Sequence, residues 1–168
     1  MSKKINVALI GNPNTGKTSL FNQLTGLNQK VGNYPGVTVD KKQGKCKLFN
    51  DKIASVVDLP GTYSINPTSL DESMVIRSVV ATDDLPDVII VVAEVENLKR
   101  NLLLFTQVQD LGLPTILAVN MSDQMERKGI RIDVEKLSAK LNTEVVLISA
   151  RAGTVSYTHL TLPTSPKV

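Results

Sequence analysis

The sequence has one cysteine, Cys46, and one histidine, His159, among 168 residues. One cysteine cannot form an internal disulfide, and it fits a protein of a reducing compartment. No apolar run approaches the roughly 20 residues of a membrane span, and the longest, residues 88–93, is typical of a buried strand. No signal peptide is visible either, because the first residues lead straight into a short apolar run that ends in a turn at Gly11. We therefore expect this chain, taken alone, to be soluble.

The composition is that of an ordinary globular domain. Hydrophobic residues make up 42% and charged residues 21% of the chain, and a chain of this length can bury a full core within one domain. The net charge is +3. Part of the excess lies in two groups of lysines, which are Lys3, Lys4, Lys41, Lys42, Lys45 and Lys47. We interpret them as a solvated terminus and a solvated strand, with a patch facing acidic lipid or RNA as the alternative.

Short β-branched segments alternate with longer segments of helical periodicity. This alternation predicts an α/β fold with a mostly parallel, six-stranded sheet and helices on both faces. A hairpin at Asn50-Asp51 would add one antiparallel edge strand. The predicted strands are 5–10, 45–49, 53–58, 87–93, 115–120 and 144–149, and the predicted helices are 16–25, 70–81, 98–111 and 133–141.

The end of the chain has a different composition. From about Val155 it is rich in Thr, Ser and Pro and shows no helical period. A doubly wound domain places a helix after its last strand, and none is predicted there. We interpret 1–153 as a domain that lacks its last helix, and 154–168 as a tail that is non-native, from vector or adapter read-through, or disordered. A genuine flexible terminus is the alternative.

The motif G-x-x-x-x-G-K-[ST] follows the first predicted strand and opens the first predicted helix. Its backbone N–H groups and the positive end of the helix would hold phosphates. Lys17 would bring its charge to the β and γ phosphates, and the Thr18 hydroxyl would bind Mg²⁺. The predicted phosphate-binding residues are Gly11, Asn12, Pro13, Asn14, Thr15, Gly16, Lys17 and Thr18.

Two further segments are predicted to sense the γ phosphate. In D-x-x-G, formed by Asp58, Leu59, Pro60 and Gly61, the carboxylate would reach the Mg²⁺ water shell and Gly61 N–H the γ phosphate. A Gly/Pro-rich segment before it contains Gly36, Val37, Thr38 and Val39. Thr38 is the candidate switch threonine and third Mg²⁺-site residue, and a plain surface loop is the alternative. We take Lys17, Thr38 and Gly61 as the catalytic residues.

Base recognition is predicted at the ends of the last two strands. Asp123 can accept hydrogen bonds from N1 and the 2-amino group of guanine, a donor pair that adenine lacks. Met121 stands where the usual N-K-x-D pattern has a lysine. A backbone N–H after the last strand would bond guanine O6. The predicted base-contacting residues are Asn120, Met121, Ser122, Asp123, Ser149, Ala150 and Arg151. Together these segments predict a GTP-binding GTPase.

The motifs at residues 11–26, 31–39 and 58–64, with Asn97-Leu98, Arg100-Asn101-Leu102 and the Asn-Met-x-Asp at 120–123, resemble the N-terminal G domain of the ferrous iron transport protein B (FeoB) family. The resemblance covers about residues 4 to 153. It implies a P-loop GTPase (Ras-like) fold and a domain on the cytoplasmic face of a prokaryotic inner membrane. A helical regulatory domain and a membrane permease would follow as partners, and no nucleic-acid partner is expected.

The resemblance also bears on hydrolysis. Ras-like proteins place a water-positioning Gln after D-x-x-G, and Thr62 occupies that place here. The family resembles potassium-stimulated GTPases, which implies that Asn14 holds K⁺ against the phosphates in place of an arginine finger. The alternative function is a soluble GTPase switch in ribosome assembly or tRNA modification.

Overall fold

The computed structural model describes residues 4–26, 29–33, 40–48, 51–62, 85–150 and 154–156. These residues form eight strands, three α-helices and a short 3-10 turn at Ser122–Gln124. The strands are β1 Lys4–Gly11, β2 Gln29–Asn33, β3 Asp40–Lys47, β4 Ile53–Asp58, β5 Val88–Glu94, β6 Thr115–Asn120, β7 Glu144–Ser149 and β8 Thr154–Ser156. The helices are α1 Lys17–Thr25, α2 Leu98–Gln109 and α3 Val134–Leu141.

The strands form one mixed sheet in the order β2-β3-β4-β1-β5-β6-β7-β8. The five central strands, from β4 to β7, are parallel. At one edge β3 runs antiparallel to β4 and β2 antiparallel to β3, and at the other edge β8 runs antiparallel to β7. The α/β class, the mostly parallel sheet and the β3–β4 hairpin are confirmed.

The sheet has eight strands where six were predicted. The missed strand β2 has the sequence Gln-Lys-Val-Gly-Asn, which lacks the alternation of apolar and polar residues that marks a half-buried strand. It is also the outermost strand, so the antiparallel edge is two strands wide rather than one. The other missed strand, β8, has three residues and lies in the Thr/Ser-rich segment assigned to the tail.

Two apolar clusters cover the two faces of the sheet. One contains Leu104, Phe105 and Val108 of α2 with residues of β1, β5, β6 and β7. The other contains Leu20 and Phe21 of α1 with residues of β1, β4, β5, β6 and β7 on the opposite face of the sheet. Phe21 and Phe105 are the largest fully buried side chains of the described residues. Cys46 of β3 packs half-buried against the α1 cluster, and burial raises the pKa of its thiol.

The helix ends follow local capping chemistry. Gly26 ends α1 with φ 62°, directly after the predicted end of this helix at residue 25. The Asp133 carboxylate accepts a hydrogen bond from the Lys136 N–H at 3.0 Å, which fixes the start of α3. Helix α2 ends at Gln109, two residues before the predicted end at Leu111. The predicted helix at 70–81 lies outside the described residues. In the part of the chain that the structure describes, no helix has the length and hydropathy needed to cross a membrane.

Candidate functional site

The carboxyl ends of the parallel strands meet at one edge of the sheet. Strand β1 ends at Gly11, β4 at Asp58, β6 at Asn120 and β7 at Ser149. Ligands of open α/β sheets bind at this edge. The structure therefore brings together four of the five segments that the sequence predicted, namely residues 11–18, 58–61, 120–123 and 149–150. Gly36, Val37, Thr38, Val39 and Arg151 lie outside the described residues.

The loop after β1 turns back on itself before α1 begins. Gly16 precedes α1 with φ 86°, a left-handed conformation that glycine adopts without steric cost. Asn14 is also left-handed, with φ 66°, and its side chain is exposed. Inside the loop, the Thr15 hydroxyl donates to the Asn12 carbonyl at 3.0 Å. This turn leaves the N-terminal N–H groups of α1 directed into the loop, as an anion site requires.

A cleft of about 410 Å³ lies against this loop. That volume is in the range of small-molecule sites. Its lining residues are Asn12, Pro13, Asn14, Gly16, Lys17, Thr18, Ser19 and Gly61. Gly61 sits against Pro13, and a Cβ at Gly61 would be only 3.3 Å from the Pro13 Cα. Sequence reasoning missed Ser19, whose only signal is its place in the first turn of α1 just beyond the motif.

Two opposite charges meet beside the cleft. The Lys17 ammonium forms an ion pair with the Asp58 carboxylate. Lys17 is 8% and Asp58 5% exposed, so each charge depends on a partner at this position. The chain beyond Asp58 is held to β1, because Leu59 N–H donates to the Leu9 carbonyl and Thr62 N–H to the Gly11 carbonyl, both at 3.0 Å. The cation and the carboxylate predicted to serve phosphate and Mg²⁺ thus share one location.

The Asn120 side chain joins the phosphate loop to the loop after β7. Its Nδ2 donates to the Thr15 carbonyl, and its Oδ1 accepts from the Ala150 N–H, each at 2.9 Å. Asn120 is 3% exposed. Sequence reasoning assigned Asn120 only to the nucleotide, and no sequence signal showed this bridge. It also occupies the Ala150 N–H, which is therefore not a free donor for a base.

Asp123 lies in the 3-10 turn after β6 and is exposed. One of its carboxylate oxygens accepts a hydrogen bond from the buried Ser149 hydroxyl at 2.9 Å. The turn begins at Met121, which has φ 65°. The 120–123 segment and the 149–150 segment are thus one recognition surface, joined by the Ser149–Asp123 and Asn120–Ala150 hydrogen bonds.

A third set of polar contacts fixes α2 against this edge. The Oδ1 of buried Asn101 accepts from the Glu94 N–H at 2.9 Å, and Asn97 Nδ2 donates to the Glu94 carboxylate. The Asn97 and Asn101 positions of the resemblance motif therefore hold the start of α2 to the end of β5. Among the described residues, no group of three or more His, Cys, Asp or Glu side chains is placed to hold a metal ion.

Known proteins share the sequence pattern and the fold of this chain. The family model of ferrous iron transport protein B matches residues 5–160. The Fe(2+) transporter FeoB of Shigella flexneri is 47% identical over 154 residues, which is 89% of this chain and 20% of that protein. The chain thus spans about a fifth of the length of the curated relatives it matches.

Solved structures give the same result. A mutant of S. thermophilus NFeoB bound to mGDP is 44% identical, with a TM-score of 0.82 over 89% of this chain and 56% of that one. The G domain of the T. maritima FeoB iron transporter is 38% identical, with a TM-score of 0.80 over 90% and 91% of the two chains. The resemblance inferred from the sequence motifs is confirmed. The chain belongs to the ferrous iron transport protein B family, and it has the fold of that family's N-terminal G domain.

Proposed function

We propose that this chain binds and hydrolyses GTP as the cytoplasmic G domain of a ferrous iron transporter. The observation that carries the proposal is the single edge of the sheet at which Lys17, Asp58 and Asp123 are placed by β1, β4 and β6. Asn120 ties the phosphate side of this edge to the base side. The family match and the mGDP-bound relative support the same reading over a soluble switch in ribosome assembly or tRNA modification.

The phosphates would lie in the cleft beside α1. Backbone N–H groups of Gly16 and Thr18 and the positive end of α1 would face their oxygens. The Lys17 ammonium, now next to Asp58, is within the same cleft wall and would contact the β and γ phosphates. These groups hold the ground state and stabilise the charge that builds up during phosphoryl transfer.

Guanine would be held at the 120–123 turn. The Ser149 hydroxyl binds one oxygen of Asp123 and so orients the carboxylate, which would accept from N1 and the 2-amino group of the base. Met121 offers no lysine stem to lie along the ring, and this lowers the expected affinity for the base. Because Ala150 N–H is bonded to Asn120, the donor to guanine O6 would be the next amide, that of Arg151.

The predicted protein oxygens fit a Mg²⁺ ion that is coordinated mainly by phosphate oxygens and water. Thr18 lines the cleft, Asp58 is paired with the cleft-lining Lys17, and Thr38 is the third predicted residue. Mg²⁺ in such sites takes one or two protein oxygens, phosphate oxygens and water, so no cluster of carboxylates is needed. When bound, the ion would neutralise charge on the β and γ phosphates. Asp58 would act through the ion's water shell.

Hydrolysis would proceed slowly without a partner. Thr62 is buried and its N–H is bonded to the Gly11 carbonyl, so it cannot orient water as the Gln of Ras-like proteins does. Gly61 would contact the γ phosphate through its N–H. Asn14, exposed on the cleft, would hold K⁺ beside the phosphates and so supply positive charge in place of an arginine finger. In the full-length transporter the cycle would act on a helical regulatory domain and a permease.

Replacing Lys17 with alanine tests the function. We expect Lys17→Ala to bind a fluorescent GDP or GTP analogue at least about 100-fold more weakly, since it loses charge-assisted bonds to two phosphates. Lys99→Ala, at an exposed lysine in the first turn of α2, is the control and should bind like the parent chain. Equal affinity of the Lys17 and Lys99 variants would refute the site.

Replacing K⁺ with Na⁺ tests the role of Asn14. We expect GTP turnover to fall in Na⁺, and Asn14→Ala to turn over GTP equally slowly in both salts. Asn142→Ala is the matched control because Asn142 is also exposed and left-handed, with φ 53°, but caps α3. An unchanged K⁺ response in Asn14→Ala would remove this residue from the mechanism.

A further inference from the structure

A group of lysines lies at one corner of the sheet, at the end away from the cleft. The register aligns Lys4 of β1 and Lys47 of β3 with the same residue, Ile53 of β4, which lies between them. Lys45 precedes Lys47 by two residues on β3. Residues paired across strands project from one face of a sheet, and residues two apart on a strand share that face. The three lysines, one on β1 and two on β3, therefore project from the same face of the sheet.

These lysines are close together and open to solvent. At a strand spacing of about 4.8 Å, the Cα atoms of Lys4 and Lys47 lie roughly 10 Å apart, with Lys45 about 7 Å along β3 from Lys47. All three are exposed. The β3–β4 turn adds exposed Lys52 and 40% exposed Leu48, whose N–H donates to the Lys52 carbonyl at 2.8 Å. We call Lys4, Lys45, Lys47, Leu48 and Lys52 the basic corner.

The charge of the basic corner is not neutralised by its described neighbours. Asp51 lies in the same turn, and Asp87 lies beside β1, where it accepts from the Asn6 N–H at 2.8 Å. Four lysines thus outnumber two carboxylates. The ion pairs Lys17–Asp58 and Lys128–Glu96 involve none of these four lysines.

We propose that the basic corner docks on the anionic surface of a lipid bilayer. Lysine ammonium groups on flexible stems attract anionic headgroups without needing a fixed geometry, and Leu48 adds an apolar side chain at the same corner. Nucleic-acid sites instead favour arginine forks, and the basic corner contains no arginine. The choice of a bilayer as the acidic partner rests on the proposed function, which places this domain beside a membrane.

The position of the basic corner sets the orientation of the docked domain. Strand β1 runs from Lys4 at the corner to Gly11 at the phosphate loop, a rise of about 20 Å. Docking at Lys4 therefore leaves the cleft edge facing away from the bilayer and open to nucleotide. For the same reason, substitutions at the corner leave nucleotide binding unchanged.

Vesicle co-sedimentation of this chain tests the proposal. We expect it to sediment with phosphatidylcholine vesicles that contain phosphatidylglycerol, to stay in solution with phosphatidylcholine alone, and to be released by added salt. The double variant Lys45→Glu, Lys47→Glu should partition at least about 30-fold more weakly, because each lysine near an anionic surface contributes about fivefold. If that variant does not fold, Lys45→Gln with Lys47→Gln serves instead.

The control carries the same change of net charge elsewhere. Lys99→Glu with Lys136→Glu changes exposed lysines in the first turns of α2 and α3, and it should partition like the parent chain. An equal loss in both double variants, or no binding to anionic vesicles, would overturn the proposal. The proposal would also be overturned if the Lys45→Glu, Lys47→Glu variant lost binding to a single-stranded RNA but bound anionic vesicles like the parent chain. Binding of a fluorescent nucleotide, measured on every variant, separates this proposal from the proposed GTPase function.

Discussion

The Asn120 side chain connects two parts of the site. It is buried, and its amide satisfies the Thr15 carbonyl on one side and the Ala150 N–H on the other. Without it, both backbone groups would be buried without partners. An unsatisfied buried group costs about 1–3 kcal/mol, so the integrity of the phosphate loop and of the base-recognition surface depends on the same residue.

Substitution of Asn120 is therefore expected to reduce both stability and nucleotide binding. Asn120→Ala should lower the free energy of unfolding by about 2–5 kcal/mol, measured by urea denaturation, because it removes a donor and an acceptor. Asn120→Asp keeps the acceptor for Ala150 N–H but places an oxygen against the Thr15 carbonyl, so phosphate-loop geometry should suffer most. A stability loss without loss of nucleotide affinity in both variants would contradict the bridging role.

Asp123 is expected to set the choice of base. Asp123→Asn replaces one acceptor oxygen with a donor, which suits xanthine and opposes guanine. We expect affinity for GTP to fall at least about 100-fold relative to xanthosine triphosphate, in competition with a fluorescent nucleotide. Ser149→Ala is the companion variant: it frees the carboxylate oxygen that Ser149 holds at 2.9 Å and should weaken GTP binding without changing the base preferred. Unaltered selectivity in Asp123→Asn would contradict the assignment.

The two glycines that flank α1 share a backbone conformation but differ in how much room a Cβ atom would have. Both are left-handed, with φ 86° at Gly16 and φ 62° at Gly26. A Cβ at Gly26 would meet nothing within 4 Å, whereas one at Gly16 would lie 1.9 Å from the Asn120 Nδ2. The N-terminal end of α1 is thus fixed by the base-recognition surface as well as by its own turn.

Gly26→Ala should lower the free energy of unfolding by about 1–2 kcal/mol, the cost of a left-handed alanine. Gly16→Ala should cost about 2–5 kcal/mol, because the added methyl group also displaces the Asn120 amide. Urea denaturation measures both, and only Gly16→Ala should weaken nucleotide binding. Equal effects of the two variants would show that the contact with Asn120 is unimportant.

At the level of helices and strands, the sequence predicted best those features that depend only on neighbouring residues. The continuous apolar strands β5 and β6 and the glycine stop at Gly26 each follow from neighbouring residues. Strand β2 could not be predicted, since its Gln-Lys-Val-Gly-Asn sequence has a partner in β3 but no apolar face.

The same limit applies to the site. The sequence motifs identified the segments that form the site, because each motif lies at the end of an apolar strand. The Asn120 bridge and the Ser149–Asp123 bond join residues that are 105, 30 and 26 positions apart. Such contacts depend on the order of strands in the sheet, which periodicity does not specify.

For the whole molecule, nucleotide should act as a structural component. A ligand that binds only the folded state stabilises it by about 2.7 kcal/mol at 100 times its dissociation constant. We expect GDP to raise the midpoint of thermal unfolding of the parent chain and of the Lys45→Glu, Lys47→Glu variant alike, and to leave Lys17→Ala unchanged. A shift of equal size in Lys17→Ala would place GDP elsewhere on the protein.

The position of β1 in the sheet has a consequence for synthesis. Strand β1 lies between β4 and β5, with Leu9 in register with both Asp58 and Ile90. It is synthesised before both of its neighbours, because β4 is complete only at Asp58 and β5 only at Glu94. Such distant pairings form late. A nascent chain that ends between Asp58 and Glu94 already carries every residue from Gly11 to Thr18. The strand that presents them, β1, then has β4 as a neighbour but no complete β5 on its other side.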